Sequence, residues 1–158
     1  MVRFKKQLDA VMRCLPAETE EDRKNAQQEI RELLDGAERT AGKQDAETLV
    51  RDILVDIGVP EHLVGHPYLV AAICMAVYDG TCLKKITSDL YPMVATTYGT
   101  TPSRVERAIR HAIEVAWDRC DMEVMQHYFG NTVSSTKGKT TNSEFIARVA
   151  NVVRMRMK

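Results

Sequence analysis

A chain of 158 residues, 44% hydrophobic and 28% charged, with 22 basic residues balancing 22 acidic ones, has room for one ordinary globular domain and an appendage. It contains no apolar run near the roughly 18 residues of a membrane span, and its basic start MVRFKKQLDAVMRCLPAETEE has no apolar signal-peptide core. Cys14, Cys74, Cys82 and Cys120 are scattered without CxxC spacing, which predicts reduced thiols in a cytoplasmic protein with neither a metal site nor another cofactor.

In chain order, residues 2–14 are amphipathic, with Phe4, Leu8, Val11 and the Cys14/Leu15 pair at helical spacing, and Pro16 ends them. From Ala17 to Ala41 the apolar stripe is thin (Ala26, Ile30, Leu33, Leu34, Ala37), the pattern of a solvated arm or a partner-facing helix. The polar AGKQD at 41–45 reads as a linker. AETLVRDILVDIG then places Leu49, Ile53, Leu54 and Ile57 on one face, with Gly58 as C-cap. VPEHLVGHPYLVAAICMAVYDG gives a short helical turn followed by a strongly apolar helix over 68–78, with the character of buried core. Helices over 90–98, 102–119 and 122–129 follow. A polar GNTVSSTKGKTTN precedes the last helix, opened by a Thr141-x-x-Glu144 capping box. The fold class predicted is all-α: a compact multi-helix domain over 47–158, preceded by a helical N-terminal arm over 1–46 that serves as an input or dimerisation element.

The neutral total hides a dipolar chain. From Leu83 onward twelve Lys/Arg face seven Asp/Glu, a net of +5, while the first 82 residues carry ten against fifteen, a net of −5. A basic half points to a polyanionic partner. Within it, LYPMVATTYG supplies a short helix with Leu90, Met93, Val94 and Ala95 inward, ended by Gly99. Thr101 suits an N-cap and Pro102 suits the first helical position, so the next helix begins there. At about 100° per residue, Val105, Ala108, Ile109, Ala112, Ile113, Val115 and Ala116 fill one arc. Ser103, Arg104, Glu106, Arg107, Arg110, His111 and Glu114 fill the other.

Two helices joined by a short turn containing glycine form a helix-turn-helix. Ala95 is small enough for close approach, Gly99 can take the left-handed conformation, and Val105 packs back. The exposed face of the second helix offers arginines where a recognition helix meets base edges and phosphates. Periodicity alone leaves a second reading open, a solvated helix carrying Arg/Glu pairs such as Glu106–Arg110.

LYPMVATTYGTTPSRVERAIRHAIEVAWDR, with YFGNTVSSTKGKTTNSEFIARVA after it and LVRDILVDIGVPEHLVGHPYLVAAI before it, resembles the C-terminal effector domain of the stage-zero sporulation protein A family of response regulators. The resemblance covers roughly residues 47–158. It implies a six-helix domain with a helix-turn-helix that binds double-stranded DNA as a transcription factor, often as tandem copies on adjacent boxes. By the same resemblance, base and phosphate contacts fall on Ser103, Arg104, Glu106, Arg107 and Arg110, and a backbone contact on Lys158. A surface for the RNA polymerase sigma factor falls on the stretch that begins at Asp121 and ends at Val133. Met122, Val124, Met125 and Phe129 within it read more simply as core. His111, on the polar arc, and Lys137 and Lys139, in the polar loop, suit phosphate contacts.

Departures from the family are also visible. Residues 1–46 are too short for the family's receiver domain and offer no acidic phosphorylation pocket, so activation by aspartyl phosphorylation is not expected within this chain. Thr140 stands where the family usually has proline. His62 and His66 sit four apart like helix-borne zinc ligands, but Gly65 intervenes, Pro67 follows and no third ligand is evident. No phosphate-cradling glycine loop, GxSxG or Cys/His pairing marks an enzyme. The competing class is a helical protein-interaction adaptor that kept the fold and works through the charged 17–41 helix.

Overall fold

The computed structural model describes residues 20–130 and 139–158; the amphipathic helix expected over 2–14 lies outside the described residues. The order is α1 (Glu20–Ile57), α2 (Gly65–Tyr78), a 3-10 turn (Gly80–Lys85) running into a π turn (Ile86–Leu90), α3 (Tyr91–Tyr98), α4 (Pro102–Arg119), α5 (Met122–Phe129) and α6 (Asn142–Arg156). The fold is all-α, and among the described residues there is no strand. The chain divides into two compact units, 1–42 and 43–158.

In the first unit, the described part of α1 is largely solvated, with Leu33 69% exposed and Ile30 and Leu34 half-buried. The expected linker at 41–45 is not a break: helix runs through it. Ala41, Lys43 and Gln44 are good helix formers, and the lone Gly42 costs only about 1 kcal/mol. In the second unit α1 ends in a Schellman motif. Gly58 has φ +83°. Its N–H donates to the Val55 carbonyl, and the Val59 N–H to that of Leu54, both at 2.9 Å. Val59 and Leu54 are both buried, so the cap also closes the core.

Helix α2 is apolar on nearly every side because it is surrounded: α4 and α6 both pack on it, α3 lies against α4, and α5 against α6. Leu69, Ala72, Ile73 and Ala76 of α2 are fully buried, as are Ile109, Ala112 and Ala116 of α4 and Phe145, Ile146 and Val149 of α6. It begins at Gly65, earlier than the expected 68, since Pro67 is tolerated in a first turn. Gly65 is where α2 meets α4 with no side chain from α2 between them. A Cβ built there would stand 2.0 Å from the Ala108 carbonyl oxygen and 2.9 Å from Ala112 Cβ. Helix α3 also departs from expectation. Tyr91 is buried and Met93 is 50% exposed, because the buried arc runs through Leu90, Tyr91, Val94 and Ala95, about 130° from Met93.

His66, one residue after that contact, is 3% exposed, and its Nε2 has no hydrogen-bond partner among the described residues. Burial, then the charge of Arg51, push its imidazole below the ordinary 6.5, with Glu61 opposing.

Three outcomes are expected. Gly65→Ala should lower stability by about 2 kcal/mol or more, since the obstructing atoms are backbone and cannot swing aside. Gly36→Ala, where nothing lies within 4 Å, should leave the thermal melt unchanged or raise it. For His66, the unfolded chain binds a proton that the fold excludes, so its contribution is complete above about pH 6.5 and declines as pH falls below it. Urea midpoints of the wild type should drop on acidification more steeply than those of His66→Met; parallel curves would remove His66 as the cause.

Candidate nucleic-acid interface

The turn between α3 and α4 is Gly99-Thr100-Thr101. Gly99 adopts φ 62°, ψ 40°, the left-handed conformation that only glycine enters freely. Its N–H and that of Thr100 both converge on the Ala95 carbonyl, the latter at 3.0 Å. Thr101 is extended and caps α4: its Oγ1 accepts from the Arg104 N–H, and its carbonyl takes the Val105 N–H at 3.1 Å. Pro102 follows at the first helical position. Ala95 and Val105 are both buried, and the two helices pack on each other.

Helix α4 separates its faces as the periodicity predicts. Val105, Ile109, Ala112, Ile113 and Ala116 are buried, with Ala108 and Val115 half-buried. Ser103, Arg104, Arg107, Arg110, His111 and Glu114 are exposed. Glu106 is half-buried and pairs with Arg110. Arg104 and Arg107 have no ion-pair partner among the described residues, which leaves two guanidinium forks open beside the helix N-terminus.

The other expected contacts lie apart from this cluster. Lys139 Nζ is 2.9 Å from Asp118, at the far end of α4 and about 21 Å along its axis from Arg104. Lys158 is exposed beyond α6, some 22 Å of helix away from Asn142, which touches Glu106. Lys137 lies outside the described residues. Of the 121–133 stretch, Asp121 caps α5, Met122 is exposed, Val124 is half-buried, Met125 and Phe129 are core, and 131–133 lie outside the described residues. Trp117 packs edge-on to Phe129 at 5.6 Å, as a core anchor.

Sequence reasoning missed the polar contacts that hold these elements. Tyr91, opening α3, accepts from Asn142 Nδ2 at 3.0 Å; burial raises the phenol's pKa while that bond draws it down. Tyr128 of α5 donates to Asp56 Oδ2 at 2.6 Å, and Arg156 lies 5.7 Å from its ring centroid. Each pair is more than 25 positions apart in the chain, so no local pattern could have revealed it. Asp56, Glu123, Val124, His127, Tyr128 and Arg156 line an open groove along α5.

His62 is exposed and His66 buried, and among the described residues no three His, Cys, Asp or Glu side chains gather within reach of one metal ion. No helix among them is long and apolar enough to cross a membrane.

A glycine-capped helix-turn-helix with open arginines on its second helix is the geometry of a DNA reader, and residues 50–153 match the family described as sporulation initiation factor Spo0A C terminal. That family consists of DNA-binding effector domains of sporulation transcription regulators and is not an enzyme family. The chain belongs to the sporulation initiation factor Spo0A C-terminal family.

Proposed function

We propose that this chain regulates transcription by reading double-stranded DNA sequence-specifically, with residues 102–118 of α4 lying in the major groove. The observation that carries the reading is the pair of exposed guanidiniums of Arg104 and Arg107, without an ion-pair partner among the described residues, opposite a stripe of buried Val105, Ile109, Ala112, Ile113 and Ala116. Arginine's planar fork matches the O6/N7 edge of guanine. Glu106 holds Arg110 and so orders the third arginine of the face. Ser103 and His111, on the same exposed face, contribute phosphate or base-edge contacts. Lys139 and Lys158, remote from that face, add sequence-independent contacts to the duplex backbone, as Lys137 would. Lys139 must leave Asp118 to do so, and an exposed pair of this kind holds it by no more than about 1 kcal/mol.

The family's habit of occupying tandem boxes supports a homodimer on DNA, and the exposed Met122 and Glu123 on α5 support a sigma-factor contact over 121–133. The N-terminal arm expected over 1–46 acts as an input or dimerisation element.

Selection of bound sequences from random DNA by the purified chain should yield a single short box. Affinity for it should fall with salt at a log–log slope near 0.9 per phosphate contact. Arg107→Ala should cost about 1–3 kcal/mol and relax discrimination at one base pair, whereas Lys139→Ala should weaken all duplexes alike. If Arg104→Ala and Arg107→Ala together leave discrimination intact, α4 is not the reader.

A further inference from the structure

Asn142, the first residue of α6, is 9% exposed and bonds to both helices of the helix-turn-helix. Its Nδ2 donates to the Tyr91 hydroxyl at 3.0 Å and to the Glu106 backbone carbonyl at 3.2 Å. Tyr91 opens α3, and Glu106 lies between Arg104 and Arg107 on α4. Both partners present oxygen acceptors, which orients the amide with its nitrogen toward them. Asn142 is itself fixed. Thr141 and Glu144 form a complete capping box around it, and Phe145 and Ile146 anchor the next turn at 0% exposure.

We propose that Asn142 is a positioning residue for DNA reading, setting the rotation of the first turns of α4 about its axis relative to α3. The apolar stripe of α4 resists separation from the core, but burial is non-directional and tolerates a small rotation or slide. A hydrogen bond to a backbone carbonyl has a preferred distance and angle, so it selects one rotation. Arginine forks need that precision, because a reading side chain works only within about 0.5 Å and 10–20° of its productive geometry. The inference rests on α4 being the reader.

The test uses the full chain, the box recovered by selection and a random duplex of equal length. Asn142→Leu removes the donor without adding charge, and Tyr91→Phe removes one acceptor while leaving the Glu106 bond. Asn142→Leu should lower the box-to-random affinity ratio about tenfold, the scale of one well-placed hydrogen bond. Tyr91→Phe should lower it less. Affinity for the random duplex and its salt slope should not change. Amide hydrogen exchange should quicken over 103–110 and stay unchanged over 145–153.

A ratio within twofold of wild type for both variants, while Arg107→Ala collapses it, overturns the proposal. So does an equal loss for both duplexes, the mark of a residue that serves stability alone. If Asn142→Leu does not fold, the ratio and the exchange of Tyr91→Phe decide. A ratio that Arg107→Ala leaves intact sinks the reader assignment instead, and the positioning role with it.

Discussion

The backbone contact between Gly65 and Ala108 sets the geometry of the effector unit. Helix axes usually stand 8–10 Å apart, held off by the side chains between them. At this crossing Gly65 supplies none, so the first turn of α2 rests on the Ala108 carbonyl of α4 beside the Ala112 methyl. The small residues Ala108 and Ala112 on α4 follow from that closeness, as does the apolar character of α2, enclosed on its other side by α6. A helix seated backbone-to-backbone has little freedom to move toward the core or away from it. The polar face of α4 therefore stands at a fixed height above the domain.

The two ends of α4 are held by different forces. At its C-terminal end, Trp117 meets Phe129 at 5.6 Å, and Phe129 meets Phe145 at 5.3 Å, so aromatic packing joins α4, α5 and α6. The Lys139–Asp118 pair beside them is solvent-exposed and adds little. Near its N-terminal end the Asn142 amide provides directional bonds where side chains are smaller. Helix α5 has its own clamp, the Tyr128 hydroxyl on Asp56, with Arg156 over the ring. That clamp joins the end of α1 to α5 and α6, and its residues line the groove together with Glu123 and His127.

Features with local causes were legible in the sequence. The Thr101 cap, Pro102, the Gly58 and Gly99 caps, the Thr141 capping box and the bounds of α5 all depend on residues within one turn, and all are where the spacing placed them. The faces of α4 were legible because five turns define an arc well. The eight residues of α3 do not, and Met93 was misplaced while Tyr91 was overlooked. Helical continuity through 41–45 was hidden because the stretch is polar, and polarity alone does not separate a solvated helix from a linker. Gly65 and Asn142 were illegible in their roles, since each acts on residues some 36 or more positions away.

The charge order along α4 bears on the two readings that periodicity left open. A helix end favours acids near its N-terminus and bases near its C-terminus, because the macrodipole is positive at the first and negative at the second. Helix α4 runs the other way. Residues 102–111 hold three arginines against Glu106, and residues 112–119 hold Glu114 and Asp118 against Arg119. Its first turn contains no acid. A solvated surface helix selected only for stability gains nothing from this order, which forgoes a few tenths of a kcal/mol at the first turn, while Asp118 and Arg119 offset each other in the last. The same order adds the dipole's positive end to Arg104 and Arg107, concentrating positive potential at the helix start. That is where a phosphate or the electronegative edge of a guanine would be met, and it is the arrangement expected when anion recognition outweighs helix stability.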